Sequence, residues 1–279
     1  MVPSKRFFFE LQMLLRGQSA ELKSVMPSWS LVSRTLDAER ERLLRCLPKD
    51  DPIRAGSDLL SPLSYDNDEV THTQAVAYLF DPRKPHGFRC AVLERFIIEL
   101  RNSVDYRCRK VDDFLRLVRG KRTDLKVIPE RRHLLADTRA RKVPKTDIWI
   151  EIHTPYPKGL IVIENKISAR ESERQLEDYE RVATDWCRRH RGCAALLVFL
   201  TVDGSNPESA GSDRWVSVSY SQLAHVLREV WMQNRQARAA SWLELYIASI
   251  ARNVLGLRVD NTDSVSIARL QEYVGVVKK

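Results

Sequence analysis

The chain has 279 residues, 43% of them hydrophobic, which is enough to bury a sizeable core and sets disorder aside. No apolar stretch approaches the roughly 20 residues of a membrane span. The apolar run at Met1–Phe9 is followed too closely by Glu10, Arg16 and Glu21 to read as a secretory signal, so a cytoplasmic protein is expected. The formal charge of +9 is concentrated: Arg101–Lys145 holds 15 Lys or Arg against 6 Asp or Glu, the usual footprint of a polyanionic partner.

In chain order, Phe7, Leu11, Leu14 and Leu15 follow one helical stripe, and Leu31, Leu36, Leu43 and Leu44 follow a second. A loop with Pro52, Gly56, Ser61 and Pro62 closes this N-terminal helical region at residues 1–62. A helix is predicted from Asp66 through Val76, Leu79 and Phe80, stopping at Asp81-Pro82. Asp81–Gly87 is a turn in which His86 either touches phosphate or stabilises the turn. Val92, Leu93, Phe96, Ile97 and Leu100 then mark the apolar side of another helix.

After the basic block the period changes from 3.6 to 2. Strands are predicted at Lys126–Leu134, Thr146–His153 and Gly159–Ile167. A helix over Arg170–His190 carries the stripe Leu176, Tyr179, Val182, Ala183, Trp186 and Cys187. Ala194–Val202 is continuously apolar, as a strand buried on both faces would be. Trp215–Ser219 reads as a short fifth strand, and three helices follow from Ser221. This order predicts an α/β sandwich with a mixed sheet at residues 63–220 and a C-terminal helical region at 221–279. No GxGxxG or GxxxxGK[ST] loop is present, so nucleotide cradling is unsupported. The five cysteines, at 46, 90, 108, 187 and 193, form no CxxC pair and read as reduced thiols.

The second and third strands carry the chemistry. Ile148, Ile150 and Ile152 face one way, and Asp147, Trp149 and Glu151 the other. In the next strand Ile161, Ile163 and Asn165 share a face, while Leu160, Val162, Glu164 and Lys166 share the opposite one. An antiparallel hairpin about Pro155-Tyr156 that matches the isoleucine faces pairs Ile148 with Ile163 and Ile150 with Ile161. The same register sets Asp147 opposite Glu164, with Cβ atoms roughly 4.5 to 5.5 Å apart. Two carboxylates that close repel unless a cation lies between them. A hard divalent ion, Mg2+ or Mn2+, suits such oxygen ligands. Lys166 would lie beside its bound water and a scissile phosphate. The plainer alternative is a cross-strand salt bridge on an exposed sheet face, against which Trp149, Leu160 and Val162 make this face semi-apolar.

At these residues the chain resembles the PD-(D/E)xK, restriction-endonuclease-like superfamily. The resemblance rests on Thr146-Asp147, on the run Ile161–Ile167 with its IENK core, and on Gln175 and Tyr179 in a QLxxY helix. Glu69–Phe88, ending in an LFDPxxPHGF-like turn, extends it, so that it covers about Asp66–Val202. It departs at Thr146, where a proline commonly stands. The resemblance implies a restriction-endonuclease-like core and a metal-dependent nuclease cutting phosphodiester bonds in nucleic acid, with DNA expected first and bacterial or phage defence as a setting by association. It implies Asp147, Glu164 and the backbone carbonyl of Asn165 as metal ligands, Lys166 as the catalytic lysine and Glu69 as an acid supporting the metal or its water. Gln175 and Tyr179, four apart on one helix face, would buttress the site or contact the nucleic-acid backbone, and Glu130 is a weaker supporting candidate. Lys121, Arg122, Arg141 and Lys142, from the basic block, are the expected phosphate contacts. Two rivals stand beside this reading: a catalytically silent nucleic-acid-binding module of the same fold, and a nuclease acting on RNA. A homo-oligomer or a protein partner is left open.

Overall fold

Alternate residues of each strand point to opposite faces of the central sheet, and the two faces recruit different helices. The computed structural model describes residues 22–103, 108–133, 144–168, 175–190, 192–208, 214–257 and 263–276. The stripe expected at Phe7–Leu15 lies outside them. Helix α1 spans Leu22–Arg45, α2 Glu69–Phe80, α3 Ala91–Ser103 and α4 Cys108–Val118. Strands β1 (Asp124–Arg132), β2 (Lys145–His153) and β3 (Pro157–Lys166) follow, then α5 (Gln175–Arg189), β4 (Ala194–Thr201) and β5 (Trp215–Ser219). Helices α6 (Tyr220–Gln233), α7 (Ala240–Ser249) and α8 (Ser264–Val274) complete the chain, with a π-helical turn at Ile250–Val254 after α7.

Among the described residues the strands form one mixed sheet in sequence order, β1-β2-β3-β4-β5. The first three make an antiparallel meander, while β3, β4 and β5 run parallel. Helix α5 supplies the crossover that a parallel β3–β4 pair requires. Flanked by helices on both faces, this is an α/β, restriction-endonuclease-like core.

The isoleucine register holds: Ile148 pairs with Ile163 and Ile150 with Ile161, and a bulge falls at Ile152/His153. Those isoleucines, with Leu196, Val198, Leu200, Val216 and Val218, enter the larger core against α2, α3, α4 and α6. Trp149, Leu160, Val162, Leu197, Phe199 and Trp215 face the other way and pack on Leu176, Tyr179, Val182, Ala183 and Trp186 of α5. Strands β3 and β4 are thus covered on both sides, which is why they read as unbroken apolar runs.

Helix α4 corrects the sequence reading, which gave this stretch to a basic block alone. Val111, Phe114, Leu115 and Val118 repeat at helical spacing and are buried, while Arg116 and Arg119 stay outside. Gly159 in β3 lets α4 close on the sheet, because a Cβ there would stand 2.9 Å from the Phe114 ring. The larger apolar cluster runs from Leu43 to Tyr273 across the proposed boundaries at residues 62 and 220. A buried polar junction spans the same distance: Arg228 Nε of α6 donates to Asp51 Oδ2 at 2.5 Å, and the Tyr273 hydroxyl of α8 donates to Asp51 Oδ1 at 2.7 Å.

Candidate active site

The β2–β3 register, carried one pair beyond Ile148–Ile163, sets Asp147 across from Glu164 on the α5 side of the sheet. Glu164 is fully buried. Its Oε1 receives Lys166 Nζ at 2.8 Å and Gln175 Nε2 at 2.8 Å. Its Oε2 is buried and meets no hydrogen-bond donor. Asp147 Oδ2 accepts the backbone N–H of Asn165 at 2.8 Å.

Electrostatics follow from that packing. Burial, and then the charge of Asp147, push the Glu164 carboxyl well above its ordinary range, and Lys166 only partly opposes them. Burial also raises Asp147, outweighing the Asn165 N–H and Lys166. Burial works against the charge on Lys166, but Glu164, Asp147 and Glu69 together hold its ammonium above the usual value. Lys166 is therefore a cation facing two carboxyls whose protonated forms burial favours.

Neighbouring elements lock this cluster. Glu69 opens α2, whose N-cap Asp68 accepts from Thr71 N–H. Glu69 Oε1 accepts the N–H groups of Ile167 (2.9 Å) and Ser168 (3.0 Å), and its Oε2 stands 3.9 Å from Lys166 Nζ. The side chain of Asn165 points to the opposite face from Glu164 and Lys166. There its Nδ2 donates to Glu69 O (3.2 Å) and Thr73 Oγ1 (3.1 Å), and its Oδ1 accepts the Tyr220 hydroxyl at 2.8 Å. Gln175 Nε2 also donates to Tyr179 Oη at 2.8 Å, and the Tyr179 hydroxyl donates to the Lys145 carbonyl at the head of β2. Tyr179 is buried. Its contacts are those of a buttress, with no surface to offer a nucleic-acid backbone. Thr73 and Tyr220 were not foreseen. The available signal was a polar Asn165 on an otherwise isoleucine face, which demands buried partners.

A sequence model of the PD-(D/E)XK nuclease superfamily matches residues 58–248, well over half the chain. The chain belongs to the PD-(D/E)XK nuclease superfamily. No curated protein and no solved structure matches it. Membership in this superfamily supports a nuclease-type function and a nucleic-acid substrate. No described helix is long and apolar enough to cross a membrane.

Superfamily nucleases generally use divalent metals, and this donor set can be tested for fit. Among the described residues no group of three or more His, Cys, Asp or Glu side chains is arranged to hold an ion. Two carboxylates supplemented by backbone and water oxygens remain, which is how Mg2+ is commonly held. The Glu164 Oε2 beside Asp147 is the observation that fits: it is buried and meets no donor, so a cation there would complete it.

Other expected residues fall elsewhere. Glu130 lies across from Asp147 in the β1–β2 register, between the pairs Pro129–Ile148 and Arg131–Thr146. It adopts a left-handed φ of 52° and forms an ion pair with Lys145. Lys121 and Arg122 are exposed just before β1, at the end where Asp124 pairs with His153. Six residues of strand, about 20 Å, separate that end from Asp147, so neither side chain reaches a phosphate held at the carboxylates. Arg141 and Lys142 lie outside the described residues. Several cations of the basic block are matched locally: Arg101 with Asp112, Arg116 with Asp113, Arg119 with Glu94, and Lys126 and Arg131 with Glu151. His86 is a turn residue, its ring bridging Asp81 O and Phe88 N.

Proposed function

We propose that this chain is a divalent-metal-dependent nuclease that hydrolyses phosphodiester bonds in DNA. One carboxylate carries the reading. Glu164 is fully buried, pairs with Lys166 on one oxygen, and on the other meets no donor beside the Asp147 carboxyl that it faces. Burying a carboxylate with incomplete pairing costs stability, a cost that ion binding would offset.

In this reading Asp147, Glu164 Oε2 and the carbonyl of Asn165 hold Mg2+ or Mn2+. Bound there, the ion supplies polarisation of a phosphoryl oxygen and a water of lowered pKa. Lys166, held as an ammonium, stabilises negative charge developing on the phosphate. In that state it donates and positions; it does not abstract a proton. Glu69 fixes the end of β3 and keeps Lys166 turned to the site, while Gln175 occupies Glu164 Oε1 so that Oε2 stays free. Glu130 acts only through Lys145. Phage defence is proposed as the biological setting by analogy of fold alone.

Plasmid, linear duplex, single-stranded DNA and RNA, each incubated with Mg2+, Mn2+ or EDTA, test the proposal. DNA cleavage that EDTA abolishes is the expected result. Cleavage of RNA alone would change the substrate, and no cleavage of any would favour a catalytically silent binding module.

A further inference from the structure

The turn joining α5 to β4 brings two thiols together at the far end of α5 from Gln175. Cys187 lies in the last turn of α5 and Cys193 just before β4, six residues on, with their sulfurs 3.3 Å apart. The turn is drawn tight by His190 N–H donating to Cys187 O (3.1 Å) and Cys193 N–H donating to His190 O (3.0 Å). Gly192 takes the left-handed φ of 73° that reverses the chain, and Lys158 Nζ stands 3.6 Å from where a Cβ would be. Both cysteines are half-buried and line a cavity of about 650 Å³ with Thr184, Arg188 and Arg214. Glu180 shares that lining, and Arg188 and Arg214 are paired with Asp185 and Glu180, so what favours reaction here is sulfur contact at a partly exposed site.

We propose that Cys187 and Cys193 form a reversible dithiol–disulfide site oxidised by hydrogen peroxide. Cys187 is assigned as the attacking thiol and Cys193, whose thiol is raised by the adjacent Cys187 sulfur and by burial against the pull of Lys158, as the resolving partner. The Cys187 thiolate attacks one peroxide oxygen. The O–O bond breaks, and the departing hydroxide takes a proton to become water. The Cys193 sulfur then displaces the oxygen of the Cys187 sulfenic acid, forming the S–S bond and releasing a second water. Two thiols lose two electrons and two protons, and one peroxide becomes two waters. The bond would clip the end of α5 to the start of β4, independently of the nuclease reading.

Trypsin cuts after Arg188, Arg189 and Arg191, so the two cysteines fall on different peptides and only a disulfide can join them. The folded full-length chain is titrated with peroxide, alkylated and digested without reductant. Cys187 and Cys193 should be lost to alkylation together, appear as one cross-linked pair and return with dithiothreitol, before Cys46 and Cys90 are modified. Cys193→Ser should leave a dimedone-trappable sulfenic acid on Cys187, with circular dichroism confirming the fold. Full alkylation of both cysteines after Cys46 or Cys90 has oxidised would overturn the proposal, as would separate sulfinic acids on each.

Discussion

The backbone N–H of Asn165 donates to Oδ2 of Asp147 at 2.8 Å, so the residue between Glu164 and Lys166 also orients the carboxylate facing them. Its side chain, on the other face, ties β3 to Glu69 and Thr73 of α2 and to Tyr220 of α6. Replacing Asn165 with Leu leaves buried polar partners behind, each costing about 1–3 kcal/mol. Chemical denaturation should register that loss. A variant as stable as wild type would remove Asn165 from the junction.

Lys166→Ala should lower turnover by about a hundredfold or more, the scale seen when a charge-stabilising donor is lost. The fold should survive with a modest loss of melting temperature, because the buried Glu164, left without its ammonium, can take a proton instead. Turnover and melting temperature measured on the same sample separate the roles. Global unfolding would make Lys166 structural.

Glu164 gives a pH dependence whose sign can be worked out. Its folded pKa is raised, so the folded chain keeps a proton that the unfolded chain releases near 4.5. Stability therefore falls as pH rises from that value through the raised folded one. His72, His86 and His133 are lowered by burial, and their contributions run the opposite way below about 6.5. Above that pH the histidine contributions fade, while Asp147, also raised, acts in the same direction as Glu164. In EDTA, Glu164→Gln should melt higher than wild type at pH 8, by a margin smaller at pH 6. A Gln variant that melts lower at pH 8 would contradict the buried-charge account.

Breaking the Asp51–Arg228 pair by Arg228→Leu should cost about 3–5 kcal/mol, the range for an uncompensated buried charge. Asp51 and Arg228 are both buried, and Tyr273 shares the acid. Urea denaturation checks it, and a loss under 1 kcal/mol would mean that water reaches Asp51.

The hairpin and its carboxylate pair were legible in the sequence because a period of two leaves little freedom: once Ile148 pairs with Ile163, Asp147 must oppose Glu164. Helix α4 was missed because its charges hid the stripe Val111, Phe114, Leu115 and Val118. The Asn165 junction was not legible, since Thr73 and Tyr220 lie 92 and 55 residues away and alternation does not say which helix will cover a sheet face. Lys121 and Arg122 illustrate the converse: charge density gave a partner class, while only strand direction shows that the two cations lie at the end of the sheet away from Asp147.

Titration calorimetry with Mn2+ at pH 7.5 on wild type, Asp147→Asn and Glu164→Gln tests the carboxylate pair most directly. One ion should bind wild type with release of a proton, and each variant should bind at least about tenfold more weakly, having lost an anionic oxygen ligand. Unchanged affinity in both variants, or no binding to wild type, would contradict the site.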